Sequence, residues 1–215
     1  MPSFQCQVCQ VSFEVPAAAL ARYAGWTPRH CQEHRPRRAQ ARTAPRGGRP
    51  RGTGQSGQVT LAQVLAAHSG GPADGLFTDG SASPNPGPGG WGVVWVRDGE
   101  VLAQRHGSAP RTTNNRMELT ALIEAYRLLP ADAAETVRTD SKLCVDTITR
   151  WAPGWECKGW TKKGGDIKNL ELVQELLALV RAHPASELEW IAAHAGHRWN
   201  EYADSLATAW MRAEL

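Results

Sequence analysis

Four acids and a histidine in this 215-residue chain have types and surroundings that would let them do chemistry together: Asp79, Glu118, Asp140, Asp204 and His194. Asp79 ends the apolar run Leu76-Phe77-Thr78, and Asp140 ends Thr136-Val137-Arg138-Thr139, so two predicted strands finish in the same Thr-Asp pair. Either aspartate alone reads as the start of a turn. On neighbouring strands they would lie side by side, where two carboxylates share a proton or bind a cation. Glu118 begins the stripe Glu118, Ala121, Leu122, Ala125 and Leu129, whose helical spacing puts the carboxylate at the N-terminal end of an apolar face. An acid there either complements the helix dipole or, facing the core, requires something positive against it. Asp204 lies beside the stripe Ala203, Leu206, Ala207 and Trp210 of a final helix. His194-Ala195-Gly196-His197 precedes that helix. A histidine pair in a loop is ordinarily solvated or hydrogen-bonded, and its spacing also fits a separate metal site.

The elements that must hold these residues have the pattern of a mixed α/β domain starting at Gly75. The strand ending at Asp79 is followed by Gly80, read here as backbone room for a ligand, and by a turn-rich segment from Ala82 to Gly90. Asn85-Pro86-Gly87-Pro88-Gly89-Gly90 lacks the Gly-Lys-Ser/Thr ending of a phosphate loop, which argues against nucleotide binding of that kind. Trp91 to Val96 reads as a second strand, and Asp98-Gly99 as a hairpin turn into a third over Val101 to Gly107. Thr112-Thr113-Asn114-Asn115 supplies cap-type residues for the helix carrying Glu118, which Pro130 ends. A helix over Ser141 to Trp151 follows the second Thr-Asp pair. Trp151, Trp155 and Trp160, interleaved with Lys158, Lys162 and Lys163, then suggest a platform for a nucleic-acid backbone or packing between helices. Leu170, Val173, Leu176, Leu177 and Val180 mark one more helix, and Leu188 and Trp190 a last strand.

Charge divides the chain. Residues 1–58 carry nine arginines, no lysine and two glutamates, a net +7, whereas the rest is −4. Cys6-x2-Cys9 and Cys31-x2-His34 bracket a unit too small to hold a core, which is the Cys3His pattern of a structural zinc site, with His30 leaving the fourth ligand open. Residues 1–34 are therefore expected to form a zinc-ribbon-like module. Residues 35–74 read as an Arg/Pro/Gly-rich flexible linker, within which Val59 to His68 has the pattern of a short helix. Arginine without lysine favours phosphate contact, so the basic arm is expected to touch nucleic acid. With neither a signal-peptide pattern nor an apolar stretch of membrane-spanning length, the expectation is a cytoplasmic protein without a membrane partner.

These residues closely resemble the type 1 ribonuclease H (ribonuclease HI) family. The matching stretches are Phe77-Thr78-Asp79-Gly80-Ser81, Asn85 to Gly90, Thr112 to Leu119, Thr139-Asp140-Ser141, and His194-Ala195-Gly196-His197 with Asn200, Glu201 and Asp204, in the family's order. The resemblance implies a ribonuclease H-like α/β fold over residues 75–215. It has a five-stranded mixed sheet, its first three strands antiparallel, with helices on both faces. It also implies an endonuclease that cuts the RNA strand of RNA–DNA hybrids. By motif match, the metal-binding carboxylates fall on Asp79, Glu118, Asp140 and Asp204, and the mobile histidine on His194. Asn85, Asn114 and Asn115 match residues that contact the hybrid, and Gly80, Thr113, Trp151, Trp155 and Trp160 join them as substrate-contact candidates. Four hard oxygen ligands suit two Mg2+ or Mn2+ ions roughly 4 Å apart, promoting in-line displacement to a 5′-phosphate and a 3′-hydroxyl. The expected working form is a monomer.

The chain departs from the family's pattern at Glu156 and Cys157, where relatives often carry basic residues, and at Lys142, often glutamine. The tryptophan- and lysine-bearing segment matches the family's basic protrusion, and the arginine arm and zinc unit are expected to compensate for its weakened grip. Two competing readings are a hybrid-binding protein that has lost catalysis and a DNA-processing nuclease or integrase on a similar sheet. The second does not account for the Asn-Asn-Arg-Met-Glu and His-Ala-Gly-His stretches together.

Overall fold

A computed structural model describes residues 2–5, 12–14, 59–193, 195–212 and 215. The chain divides into two compact units, Met1–Thr53 and Gly54–Leu215. The described part of the first is an antiparallel pair, β1 (Ser3–Gln5) and β2 (Ser12–Glu14), with Phe4 opposite Phe13. Cys6, Cys9, Cys31 and His34, and with them the zinc-module expectation, lie outside the described residues, as does the arginine-rich stretch up to residue 58.

The second unit is built on a five-stranded sheet in the order β5-β4-β3-β6-β7. Its strands are β3 (Gly75–Ala82), β4 (Gly87–Arg97), β5 (Glu100–Thr112), β6 (Thr136–Thr139) and β7 (Glu187–Trp190). β3, β4 and β5 are antiparallel neighbours, whereas β6 runs parallel to both β3 and β7. The β4–β5 turn is the expected Asp98-Gly99 pair, both residues with positive φ, 53° and 75°.

Alternation along the strands splits the core between two faces. On one side Leu76, Val93 and Val137 pack with α2 (Asn114–Leu128) and α5 (Leu170–Ala182). On the other, Phe77, Val94 and Val96 meet Val64 of α1 (Leu61–Ala67) and Trp199, Tyr202, Ala203 and Leu206 of α6 (Arg198–Ala207).

Local expectations change at several points. The strand expected to finish at Asp79 runs on to Ala82, and the second begins at Gly87, within the segment read as turn, so Asp79 lies inside β3. The helix predicted over Ser141 to Trp151 is α3 (Lys142–Asp146), a π-helical stretch Thr147–Trp151 and α4 (Ala152–Glu156), so it runs beyond its predicted end. Residues 59–74, assigned to the flexible linker, are instead ordered within the second unit. α1 begins with a capping box, Thr60 Oγ1 accepting from Gln63 N and Gln63 Oε1 accepting from Thr60 N, and buries Val64 against α6. One buried residue in a seven-residue helix leaves too short a periodicity to outweigh the linker composition around it.

Candidate active site

Backbone register brings the first two acids together. In the parallel β3–β6 pair, Leu76 faces Val137, Phe77 faces Arg138 and Thr78 faces Thr139, so Asp79 and Asp140 come next, at one level of the sheet. By the two-residue period both share the face of Phe77 and Arg138, whose guanidinium lies over the phenyl ring at 5.4 Å.

Two glycines let the helices reach this point. Gly92 is opposite Asp79 on β4, and a Cβ there would come within 2.4 Å of Leu206 Cβ and 2.6 Å of the Ala203 carbonyl. α6 therefore lies directly on the strands and brings Asp204 towards Asp79. On the opposite face a Cβ at Gly80 would sit 2.1 Å from the Glu118 nitrogen and 2.2 Å from the Met117 carbonyl carbon. The room left by Gly80 is thus filled by the first turn of α2, which corrects the reading of that glycine as space for a ligand and explains how Glu118 reaches the end of β3. The four carboxylates come from the body of β3, the residue after β6 and two helices on opposite faces of the sheet, and all four are half-buried.

The electrostatics follow from this convergence. Burial holds the Asp79 carboxyl well above its ordinary range, and the charges of Asp204 and then Asp140 push it further, while the Gly80 N–H opposes them. Glu118 is also raised, first by burial, against the hydrogen bond from Ser141. Ser141 Oγ donates to Glu118 Oε2 at 2.5 Å, and the Cys144 thiol reaches the same oxygen at 3.7 Å. Burial pushes that thiol up to about 12, so it stays a neutral donor. Asn115 Nδ2 donates to Cys144 Sγ at 3.6 Å, and Asn169 Nδ2 donates to Asn115 Oδ1 at 2.7 Å, extending the chain of contacts to the start of α5. Asn200 Nδ2 donates to Asp140 Oδ2 at 3.5 Å, and Trp190 Nε1 to the Asp140 carbonyl at 3.0 Å. Ser141, Cys144, Asn169 and Asn200 were not singled out as site residues from sequence. Ser141 and Asn200 stand in the stretches that match the family, and the cap position of Ser141, whose side chain accepts from Cys144 N, was open to local reading.

This donor set fits a divalent cation. It offers hard carboxylate oxygens whose repulsion a positive charge relieves. It also offers Asn200 Oδ1, a buried oxygen without a hydrogen-bond partner among the described residues. Among the described residues no three His, Cys, Asp or Glu side chains already form a closed ligating cluster.

The remaining expected contacts have structural tasks of their own. Asn114 Oδ1 accepts from Ala82 N at 2.7 Å and Asn85 Oδ1 from Asn114 N at 3.4 Å, tying the turn after β3 to the start of α2, which Thr113 caps. Trp155 and Trp160 are partly buried against the core, so packing accounts for much of their surface, whereas Trp151 is 40% exposed. Trp151 and Trp155 line a cleft of about 190 Å³ with Asn115, Leu143 and Lys162, and the Lys162 ammonium lies 5.8 Å from the Trp155 ring. Glu156 is gripped by Arg181 through both carboxylate oxygens, at 3.0 and 2.6 Å, fastening this segment to α5. His194 lies outside the described residues.

Known proteins agree with this architecture. The chain is 47% identical over 133 residues to the ribonuclease H of Agrobacterium fabrum, covering 61% of this chain and 90% of that protein. To the ribonuclease H of Methylorubrum extorquens it is 42% identical over 140 residues, 65% of this chain, and it spans only 60% of that longer relative. The crystal structure of LC9-RNase H1, described as a type 1 RNase H with the type 2 active-site motif, superposes with a TM-score of 0.54 at 38% identity, covering 65% of this chain and 72% of that one. Residues 73–212 match the family model described as RNase H, and with the four-carboxylate sheet end that match shows that the chain belongs to the ribonuclease H family and is a nuclease, a phosphodiester hydrolase.

Proposed function

We propose that the chain is an endoribonuclease that hydrolyses the RNA strand of RNA–DNA hybrids with two divalent cations, Mg2+ or Mn2+, held by Asp79, Glu118, Asp140 and Asp204, leaving 5′-phosphate and 3′-hydroxyl ends. The observation that carries this reading is the β3–β6 register, which sets Asp79 beside Asp140 while Asp204 adds its charge from α6. The cations, when bound, supply Lewis acidity to a water nucleophile and to the departing 3′ oxygen. The chain's own residues hold and orient. Ser141 and Cys144 keep Glu118 Oε2 engaged, and Asn200 steadies Asp140. His194 assists proton transfer or product release. Asn85, Thr113, Asn114 and Asn115 present backbone and amide groups to the hybrid close to the carboxylates, where a ribose 2′-hydroxyl is distinguished from deoxyribose, while Gly80 serves through the close approach of α2. Trp151, Trp155 and Trp160 receive the partner strand, the first two along the cleft they line.

At the other end, Cys6, Cys9, Cys31 and His34 bind one structural zinc, and the arginine-rich arm adds phosphate contacts. The protein works as a cytoplasmic monomer. The test offers purified protein and magnesium with labelled RNA–DNA hybrid, duplex RNA and duplex DNA. Selective cutting of the RNA in the hybrid is expected, and equal cutting of duplex DNA would overturn the assignment.

A further inference from the structure

The stretch shared with the family begins at residue 73, yet the ordered unit begins earlier, and the residues in between are built onto the helix that carries Asp204. α6 is held by this upstream segment at three levels. At its start the Arg198 backbone N–H donates to the Gly70 carbonyl at 2.8 Å, the Arg198 guanidinium Nε donates to the His68 carbonyl at 2.6 Å, and Gly70 bridges His197. Midway, Val64, 2% exposed, packs in the cluster of Trp199, Tyr202 and Ala203. One residue past Asp204, Ser205 Oγ donates to the Val59 carbonyl at 2.7 Å.

We infer that residues 59–72 are a brace that fixes α6 against the sheet, making Arg198 and Val64 positioning residues for Asp204 and Asn200. This rests on the reading of Asp204 as a metal-binding carboxylate. The physical basis is the geometry of the helix. α6 has ten residues, and its sheet side is anchored at Gly92 through Leu206 and Ala203. A short helix fastened on one side can still roll, and a roll that moves Asp204 by about 1 Å is enough to cost on the order of a hundredfold in rate. The brace restrains the other side. The guanidinium of Arg198, whose Nε donates to a carbonyl of the brace, also lies 5.9 Å from the Trp199 ring, joining the brace to the start of α6.

The experiment uses the full chain carrying Val64→Asp together with Arg198→Ala, with Leu65→Ser, on the exposed side of α1, as control. Hydrogen exchange without metal reads whether residues 59–72 are released and whether amides of 198–207 lose protection with them. Calorimetric titration with Mg2+, and kcat and KM on hybrid, read the site. The expected result is release of 59–72, faster exchange in α6, weaker Mg2+ binding and a kcat lowered about ten- to a hundredfold at nearly unchanged KM. Arg198→Lys, which keeps a donor for the His68 carbonyl, should recover most of the activity lost in Arg198→Ala. Released residues 59–72 with unchanged exchange in α6 and unchanged Mg2+ binding would overturn the brace. So would continued protection of 59–72, since the named contacts would then not be what holds it. If the unaltered protein fails to cut hybrid, the functional reading falls, while the metal-free exchange still decides whether the brace fixes α6.

Discussion

Asp79 stands where its charge is opposed by burial and by the carboxylates of Asp204 and Asp140. Its folded pKa lies above the unfolded one, so the folded state binds more protons and loses stability as pH rises from the ordinary carboxylate range through the raised value. Asp79→Asn removes that conflict. Without metal the variant should melt higher than the unaltered protein, with the gap widening as pH is raised from about 4 to 7 and each kcal/mol relieved worth about 3 °C. Magnesium should raise the melting point of the unaltered protein and leave that of the variant nearly unmoved, and turnover should be lost. Substantial residual activity at saturating magnesium would remove Asp79 from the site. Ser141→Ala tests the support of Glu118. It removes both the donor at 2.5 Å and the cap of α3, so stability should fall by about 1 kcal/mol and the Mg2+ requirement should rise. Ser141→Asn, which keeps the cap but carries a longer amide, should recover the stability without the Mg2+ response. Denaturant melts and Mg2+ titrations of the two variants separate the effects.

The acids were legible in the sequence because each sits at a punctuated place, the close of an apolar run or the edge of a helical stripe, even though β3 runs on past Asp79 to Ala82. The contacts that hold them were not: Ser141 and Asn200 lie in stretches shared with the family, but like Cys144 and Asn169 they act across elements, and no local pattern names their partners. Gly80 shows the same limit. A glycine after a strand-ending aspartate reads equally well as room for a ligand or for a helix, and only the packing of α2 decides it. Gly80→Ala places a Cβ against backbone that cannot turn aside, so α2 must shift, with a loss of about 1–3 kcal/mol or more and a displaced Glu118. A melting curve together with a Mg2+ titration measures both consequences. Trp155 and Trp160 are half-buried against the core, so the alternative reading of the tryptophan segment, packing between helices, holds for part of their surface. Glu156, which as a departure from basic residues suggested a weaker grip, has the definite task of holding Arg181.

Across the chain, the mixed α/β pattern was readable from turn chemistry and apolar spacing, down to the Asp98-Gly99 hairpin, whereas the five-stranded sheet was implied by the resemblance to the family and the boundary at residue 75 was drawn too late. A truncation meant to isolate the contribution of the arm should therefore begin at Val59, because starting at Gly75 also removes the contacts of α1. If the arm binds phosphate, the version starting at Val59 should keep kcat, raise KM for hybrid and show a shallower dependence of binding on salt. Elemental analysis of the full chain should find one zinc, lost on Cys6→Ala with Cys9→Ala, and a metal-free preparation would refute the ribbon.

The order of the four carboxylates along the chain has one more consequence. Asp79 lies near the start of the second unit and Asp204 in its last helix, so contacts spanning almost the whole domain must close before the set is complete. A chain emerging from the ribosome can pair β3, β4 and β5 early, yet it lacks its fourth acid until α6 has been made and docked. With Asp204 as the proposed fourth metal-binding carboxylate, ribosome-bound chains ending before it should leave hybrid intact, hydrolytic capacity arriving only with the finished domain.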